Sequence, residues 1–409
     1  MFKMRFLYFY CCLVSYLGFS QNIQRIESEQ FQNSDFEKSI PASEFKNAQI
    51  VALGEPVHRG GNSNTAKIKM VKYLHEKCGY NVLAMEACMF KMIGNDKQVA
   101  NGTYTGDSLI RTVSPAWSTS EMRELYDYVV ETRKTENRLA ITGFDIMFPY
   151  DTRKEIKEKF QEFLTTLNKR VKKPVVIEQR FDTVFSDLLD KSFGFSKCPP
   201  QDTLLLYNTY RDIQEKIVDN NLKSEKYFRF WNDMVNNLRV IYQYNYNNTL
   251  RDKQMSKNLE ILMNEYYPNE KVIIWGATAH FVKDSKATDT KWHQKNDYMG
   301  DFIQRKYGDK YYMLAFTALE GTAGMKGKLG LLKQKVRTKK GSIERYIEKT
   351  ANNPDYAFMS LRDPENRKVI SENITSTSLL GERPTKTNVL KVADGIFYIK
   401  EESLVHWDW

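Results

Sequence analysis

The chain has 409 residues, of which 41% are hydrophobic and 13% are aromatic, so it can bury a large apolar core. This composition excludes an intrinsically disordered protein. The formal net charge is +10, but lysines and arginines are interspersed with acidic residues along most of the chain, as on a solvated surface, and we expect no nucleic-acid binding.

The first twenty residues have the features of a secretory signal. Lys3 and Arg5 precede the apolar run "FLYFYCCLVSYLGF", and the small residues Gly18 and Ser20 fit cleavage after Ser20. We therefore predict an exported bacterial protein, periplasmic or extracellular, that begins at Gln21. No other apolar run approaches the roughly 20 residues that span a bilayer, so we expect no stable membrane span in the mature chain.

Short apolar runs alternate with longer helical patterns. The runs are nearly continuous in apolar residues, which is typical of strands covered on both faces, and they occupy residues 49–54, 81–86, 139–145, 271–277, 311–319 and 355–361. Residues 65–80 and 118–134 repeat apolar residues at helical spacing, and a closing strand is predicted at 395–400. This alternation predicts an α/β fold with a mainly parallel central sheet flanked by helices.

Residues 152–262 interrupt the alternation of strands and helices. They contain three long helical patterns and no good strand before Val272. We therefore predict a helical insertion of roughly 100 residues between the third and fourth strands, packed over a cleft, with residues 21–151 and 263–409 forming the two parts of the α/β domain. The aromatic residues of this insertion are interpreted either as the roof of a hydrophobic cleft or as ordinary core.

Titratable side chains accompany the ends of four predicted strands. Glu55 and His58 follow the first strand, Glu86 ends the second, Asp145 ends the third and His280 follows the fourth. Each residue alone has a structural interpretation, such as a helix cap, a loop anchor or a packed side chain. Ligands of open parallel sheets bind outside the carboxyl ends of the strands, so the coincidence at one edge predicts a functional site there.

Several motifs, in order along the chain, resemble the erythromycin esterase-like family. They are "LGEPVH", "GYNVLAMEA", "PAWSTSEMRELYDYV", "ITGFDI", "RDKQMSKNLEIL", "VIIWGATAH" and "GSIERYI", and the resemblance extends over essentially the whole mature chain. It implies a hydrolase in which His58 is the general base for water attacking an ester or lactone, with Glu55 as its acidic neighbour and His280 across the cleft. The activities of the family include opening a macrolide ring, a route to antibiotic resistance.

The residue chemistry is compatible with this implied role. An imidazole titrates near neutrality, so His58 can take a proton from water, and His280 or Arg251 can stabilise the negative oxygen that develops. No serine or cysteine lies in a nucleophile elbow, which favours direct attack by water. Lys67, Trp117 and Arg251, which lie in or near the matching motifs, are candidates for substrate binding.

The chain differs from the family pattern at several motif positions. Arg59 and Asn62 stand where the family usually has glycine and glutamate, and Ala277 and Thr278 stand where it commonly has a histidine pair. Lys67 stands where an arginine is common. The sequence therefore leaves the substrate open, including whether it is a macrolide.

Two other classes of function compete with ester hydrolysis. His58, His280, Glu55 and Glu86 are of the residue types that hold a catalytic divalent metal with an open position for water. A protein without catalytic activity that binds a small molecule or haem through a histidine is the other alternative. Apart from these alternatives we expect no cofactor and a small-molecule ester or lactone as the partner. The basic segment 326–340 is predicted to be a loop, and the oligomeric state is left open.

Overall fold

The structure, a computed structural model, describes residues 23–190, 198–244, 248–326, 333–381 and 383–406. The predicted secretory signal lies outside these ranges. Within them, no helix is both long enough and apolar enough to cross a membrane.

The described residues form a central nine-stranded sheet and a separate two-stranded ribbon. In chain order the strands are β1 (Ile23–Ile26), β2 (Ile50–Glu55), β3 (Tyr80–Cys88), β4 (Ala140–Asp145), β5 (Lys271–Ala277), β6 (Tyr311–Ala323), β7 (Met325–Lys326), β8 (Gln334–Lys335), β9 (Tyr356–Ser360), β10 (Gly395–Glu402) and β11 (Val405–His406). The order across the sheet is β1-β9-β10-β6-β2-β5-β3-β4, with β8 paired to β6, and β7 pairs with β11 in the ribbon.

The α/β class and the mainly parallel sheet are confirmed. Six consecutive strands of the sheet, from β10 to β4 in the order above, run parallel. Residues 355–361, one of the apolar runs from which the parallel sheet was predicted, are an exception, because β9 runs antiparallel to both of its neighbours, β1 and β10. An apolar run indicates that a strand is buried, but it does not indicate the direction in which the strand pairs.

Sixteen α-helices connect and cover the strands in the described part of the chain. They are α1 (Ser28–Asn33), α2 (Gly61–Cys78), α3 (Met89–Ala100), α4 (Gly106–Thr112), α5 (Arg123–Thr132), α6 (Tyr150–Arg170), α7 (Phe181–Asp190), α8 (Pro200–Asp219), α9 (Lys226–Tyr244), α10 (Asn248–Ile261), α11 (Thr278–Phe281), α12 (Lys291–Lys295), α13 (Met299–Tyr307), α14 (Ile343–Thr350), α15 (Pro364–Asn373) and α16 (Val389–Val392). A π-helical turn, Leu262–Tyr266, follows α10 directly.

Apolar side chains from the two faces of the sheet enter two separate cores. In β2, Ile50 and Ala52 join one core while Val51 and Leu53 join the other, because side chains alternate along a strand. Side chains from α6, α9 and α10 pack into the first core, whereas those from α2 and α5 pack into the second. The fold is therefore a sheet with helices on both faces.

Helices α6 to α10 lie between β4 and β5 in the chain. The amide of Asn258 in α10 donates to the carbonyl of Phe144 in β4 at 2.8 Å, which fixes α10 against the carboxyl half of that strand. Arg251 and Asp252 lie in the first turns of the same helix, so this helical region supplies side chains to the carboxyl edge of the sheet.

Part of the basic segment predicted to be a loop is a short strand. Gln334–Lys335 forms β8 and pairs antiparallel with β6. A pairing of two residues has no periodic signal in the sequence, because alternation needs a longer run to be recognised. Residues 327–332 of this segment lie outside the described ranges.

Candidate active site

The predicted site residues lie at the carboxyl ends of neighbouring parallel strands. Glu55 ends β2 and is the register partner of Ala277, which ends β5, and Asp145 ends β4. Glu86 lies within an irregularity near the end of β3, where the register with β4 shifts. His280 belongs to α11, which begins directly after β5. The strands end together because they are parallel and in near register.

His58 lies in the connection between β2 and α2 and is held by Glu55. Its Nδ1 atom is 2.9 Å from Oε1 of Glu55, and the other oxygen of that carboxylate accepts from Nζ of Lys67. The ring of Trp117 meets the imidazole edge-on, with centroids 5.2 Å apart. Because the ion-paired carboxylate accepts the hydrogen on Nδ1, Nε2 of His58 is left with a lone pair.

Lys67 and Trp117, predicted to bind substrate, are both buried in the structure. Nζ of Lys67 contacts Glu55 and lies 3.9 Å from the ring centroid of Trp275. Burial holds the pKa of Lys67 well below its ordinary value. In this arrangement Lys67 supports Glu55, and Trp117 packs against His58.

Arg251 connects the carboxylates at the ends of β3 and β4. Its Nε and Nη2 atoms donate to the two oxygens of Asp145 at 3.0 and 2.6 Å, and Nη2 also donates to Glu86 at 3.1 Å. Nη1 lies 3.3 Å from Nε2 of His280. These carboxylates are almost fully buried, so the guanidinium provides the charge compensation that burial requires.

Glu86 accepts hydrogen bonds on both carboxylate oxygens. Oε2 accepts from the backbone amide of Ala277 at 3.0 Å, while Oε1 lies near Arg251 and 3.2 Å from Nε2 of His280. A Cβ atom on Gly276 would stand 2.6 Å from Oε2, so this approach requires glycine at that position. Burial alone would raise the pKa of Glu86, but His280, His58 and Arg251 hold it well below its ordinary value.

His280 lies between two carboxylates. Nδ1 is 2.6 Å from Oδ1 of Asp252, which also accepts from the amide of Met299 at 3.0 Å, and Nε2 faces Glu86. Burial disfavours the charged imidazolium, but Asp252 and Glu86 outweigh it and raise the pKa of His280 to about 10. His280 is therefore an imidazolium at neutral pH and donates from both ring nitrogens.

The environment of His58 favours the neutral imidazole, whereas the environment of His280 favours the imidazolium. Burial lowers its pKa below the ordinary 6.5, and the charges of His280 and Arg251 reinforce that effect against the opposing charge of Glu86. The His58 side chain is 37% exposed, whereas those of His280 and Arg251 are 13% and 15% exposed. The site thus presents a neutral imidazole to solvent beside a fixed positive charge, an arrangement suited to moving a proton.

The structure brings all the candidate residues into one group, which we call the strand-end cluster. It consists of two hydrogen-bonded parts, Glu55, His58 and Lys67 in one and Glu86, Asp145, Arg251, Asp252 and His280 in the other, with Trp117 against His58. The two parts are near enough for His58 to interact electrostatically with Glu86, Arg251 and His280. The sequence predicted no site role for Asp252, nor for the amide of Ala277 that donates to Glu86. Asp252 follows Arg251 in the matching motif, but only the helical geometry shows that it faces His280.

Glu402 is a further residue near the site, and the sequence did not predict its role. It ends β10, is 3% exposed, and its Oε1 accepts from the amides of Asn62 and Ser63 at 3.0 and 3.2 Å. Its Oε2 accepts from the Ser63 hydroxyl. These amides belong to the first turn of α2, so Glu402 fixes the end of the connection that carries His58.

The residues present do not fit a metal ion. Within the described ranges, no group of three or more His, Cys, Asp or Glu side chains has a geometry that could hold a metal. Two of the proposed ligands, Glu86 and His280, contact each other and the guanidinium of Arg251. Both ring nitrogens of His280 face carboxylates at hydrogen-bond distance, and the Arg251 cation adjoins both His280 and Glu86, which disfavours a divalent cation beside them.

The sequence and fold match known proteins. The model of the family described as erythromycin esterase matches residues 75–401. The chain is 26% identical over 333 residues to the protein named "Putative hydrolase YbfO" of Bacillus subtilis (strain 168), covering 74% of this chain and 72% of that protein. The family match includes Glu86, Asp145, Arg251 and His280 and begins after His58.

Solved structures share the fold over nearly the whole chain. A Bacillus cereus protein has a TM-score of 0.72 at 18% identity, covering 95% of this chain and 97% of that chain. A succinoglycan biosynthesis protein has a TM-score of 0.69 at 15% identity with the same coverage. A mutant of erythromycin esterase EreC in its open conformation has a TM-score of 0.64 at 15% identity, covering 93% of this chain and 98% of that chain.

The chain belongs to the erythromycin esterase family, because the family model matches most of its length. This membership, together with the relationship to a hydrolase, supports a hydrolytic enzyme.

Proposed function

We propose that this enzyme hydrolyses a carboxylic ester or lactone by direct attack of water, with His58 as the general base. The observation that carries the proposal is the pairing of His58 with Glu55 through Nδ1 beside the charged group of Arg251 and His280. A neutral imidazole with a free Nε2 accepts a proton, and the neighbouring positive charges favour a developing anion.

The first step of the proposed reaction places a water molecule between Nε2 of His58 and the substrate carbonyl carbon. The water oxygen forms a bond to that carbon while one of its protons moves to Nε2. Glu55 stabilises the resulting imidazolium through the hydrogen on Nδ1, and Nζ of Lys67 holds the other oxygen of the Glu55 carboxylate in place. The products of this step are a tetrahedral oxyanion and a protonated His58.

The positive groups of the cluster are placed to stabilise the oxyanion. Arg251 uses Nε and Nη2 for its hydrogen bonds to Asp145 and Glu86, and Nη1 remains beside His280. We therefore assign Nη1 of Arg251 as the donor to the oxyanion, with the His280 imidazolium adding its charge. In the second step the bond to the leaving oxygen breaks and His58 returns its proton to the alkoxide, which gives a carboxylic acid and an alcohol.

A panel of soluble esters and lactones, including a macrolide, tests this function in water enriched in ¹⁸O. We expect at least one member to be hydrolysed, with one ¹⁸O atom in the carboxylate product and with no loss of rate in the presence of a chelator. Activity that disappears with a chelator and returns with a divalent ion would favour a metal enzyme. Absence of turnover, together with stabilisation against heat by a small molecule or haem, would favour a binding protein.

The pH dependence of kcat/KM is expected to follow the two histidines. His58 must be neutral to accept a proton, and its pKa is lowered, so kcat/KM should rise as the pH increases through a value below 6.5 and then stay level. His280 must keep its proton, so kcat/KM should fall again near pH 10. Initial rates between pH 5 and 10.5 measure this, and a rate that rises steadily from pH 7 to 9 would contradict it.

Glu402→Ala is expected to lower kcat about tenfold, because the loop that carries His58 loses its anchor and a misplaced general base transfers a proton less efficiently. It should also lower the free energy of unfolding by about 2 kcal/mol, since the amides of Asn62 and Ser63 lose their buried acceptor. Steady-state kinetics and urea unfolding measure the two effects. Glu401→Gln, a substitution at the exposed neighbouring side chain, is the matched control and should change neither. Wild-type kcat in Glu402→Ala would exclude the positioning role.

We also propose that the enzyme is exported, on the basis of the charged start, the apolar run and the small residues before Gln21. Mass spectrometry of the protein secreted or released from the periplasm by a bacterial host is expected to show a chain that begins at Gln21. An intact chain confined to the cytoplasm would contradict export.

A further inference from the structure

A cavity separate from the strand-end cluster lies on the helical layer. It has a volume of about 470 Å³ and is lined by side chains from α3, α6, α9 and the π-helical turn. We call it the aromatic pocket and define it by its apolar wall, which consists of Phe90, Ile93, Tyr227, Phe230, Trp231 and Tyr266. A cavity of this size can hold a small organic molecule.

The aromatic wall is fixed by contacts among its own rings. The ring centroid of Phe90 is 6.1 Å from that of Phe230 and 6.2 Å from that of Trp231, and the Phe230 and Trp231 rings meet edge-on at 5.5 Å. Tyr227, on the same wall, is 42% exposed. The wall is therefore preformed and partly open to solvent, and an apolar ligand could bind it without large rearrangement.

Gly94 contributes to the lining from the middle of α3. Glycine is among the least favourable residues in a helix interior, so its presence there needs a reason. It has no positive φ, and a Cβ atom at this position would meet nothing within 4 Å, so neither the backbone nor close packing requires glycine. Gly94 therefore borders open space at the lining of the pocket, where any other residue would add a side chain.

Two lysines in the lining of the aromatic pocket are placed to attract an anion. Nζ of Lys97 is 6.0 Å from the Phe230 centroid, and Nζ of Lys226 is 6.0 Å from the Tyr266 centroid. Neither lysine forms a salt bridge with a described residue. The other two charged side chains in the lining are already paired, Glu155 with Lys91 at 2.7 Å and Lys159 with Glu162 at 2.9 Å.

We propose that the aromatic pocket binds an amphiphilic carboxylate, a molecule with an apolar body against the rings and an anionic head between Lys97 and Lys226. Charge complementarity selects the anionic head, and the rings and the space beside Gly94 select the apolar body. This site is independent of the hydrolytic function proposed above, since no residue of the strand-end cluster lines it.

Isothermal titration of the purified protein with three probes tests this site. Octanoate carries both the tail and the charge, octan-1-ol carries the tail alone and acetate the charge alone. We expect octanoate to bind with a 1:1 stoichiometry, octan-1-ol to bind at least tenfold more weakly and acetate to give no saturable signal. An absence of saturable octanoate binding, or equal affinity for octan-1-ol, would overturn the proposal.

Substitutions in the lining locate the binding of octanoate. Gly94→Leu adds a bulky side chain to the lining at a point where a Cβ atom meets open space, so octanoate binding should be lost while the melting temperature is maintained or raised. Gln98→Leu, an exposed position on the same helix, is the matched control and should bind octanoate as the wild type does. Undiminished binding by a folded Gly94→Leu variant would place octanoate elsewhere and overturn the proposal.

The two lysines provide an independent test of the head group. The double variant Lys97→Gln with Lys226→Gln is expected to weaken octanoate binding about tenfold and to leave octan-1-ol binding unchanged. Lys169→Gln, at an exposed lysine in the last turn of α6, should change neither. An unchanged octanoate affinity in the double variant would overturn the anionic part of the proposal, whether or not ester hydrolysis is found.

Discussion

Replacement of His58 by alanine is expected to lower kcat at least about a hundredfold, the usual contribution of a general base. The free energy of unfolding should change by less than about 1 kcal/mol, because the side chain is 37% exposed and Glu55 keeps its bond to Lys67. Initial rates on a hydrolysed ester, together with urea unfolding, measure both effects.

His406→Ala is the matched control for His58→Ala. His406 also faces a carboxylate through Nδ1, 2.7 Å from Glu121, and is 56% exposed, but it lies outside the strand-end cluster. Its substitution should leave kcat unchanged. Retention of wild-type activity by His58→Ala would exclude His58 as the base.

Arg251→Gln is expected to abolish activity and to lower the free energy of unfolding by about 3–5 kcal/mol. The variant leaves the buried carboxylates of Asp145 and Glu86 without their guanidinium, and breaking a buried ion pair from one side has a cost of this size. Urea unfolding measures the loss of stability, and kinetics measures the loss of activity.

A second substitution separates charge compensation from general disruption. Asp145→Asn combined with Arg251→Gln removes a negative charge together with the positive one, so part of the lost stability should return while activity stays absent. Arg239→Gln is the matched control, because Arg239 donates to Gln214 at 2.8 Å and forms no salt bridge within the described ranges. Equal instability of the single and double variants would contradict charge compensation.

Most of the sheet could be predicted from the sequence because its central strands are buried on both faces. Continuous apolar runs mark β2, β3, β4 and β5, and the polar residues that interrupt them mark where each strand ends. The strand-end rule then places Glu55, Glu86 and Asp145 at one edge without knowledge of any contact. β1 was missed because it has four residues and only Ile26 is buried.

The rest of the site depends on helices and on distant chain segments. Asp252 and His280 are 28 residues apart in the sequence, and Glu402 and Ser63 are 339 residues apart. No local sequence pattern therefore reveals either contact. Glu402 nevertheless ends β10, and the same strand-end rule finds it once the closing strand is extended by two residues. The burial of Lys67 could not be predicted, since lysine is usually exposed.

The positions that differ from the family pattern have structural roles in this chain. The Asn62 side chain donates to the carbonyl of Glu401 at 2.7 Å, and the carbonyl of Arg59 accepts from Gly324 at 2.8 Å. Ala277 contributes its amide to Glu86, and Thr278 is buried. Hydrolysis of a macrolide stays a prediction for this chain, and the substrate panel decides it.

Titration of the His58 imidazole shows whether His58 is the general base. Nuclear magnetic resonance titration of the histidine ring protons, with the His58 signal assigned by its absence in His58→Ala, measures the pKa of this imidazole. We predict a pKa below 6.5 that equals the acidic pKa of kcat/KM, because the same proton controls both. A His58 pKa that differs from the kinetic value would contradict the assignment of His58 as the general base. Activity that persists at a pH at which His58 is fully protonated would contradict it as well.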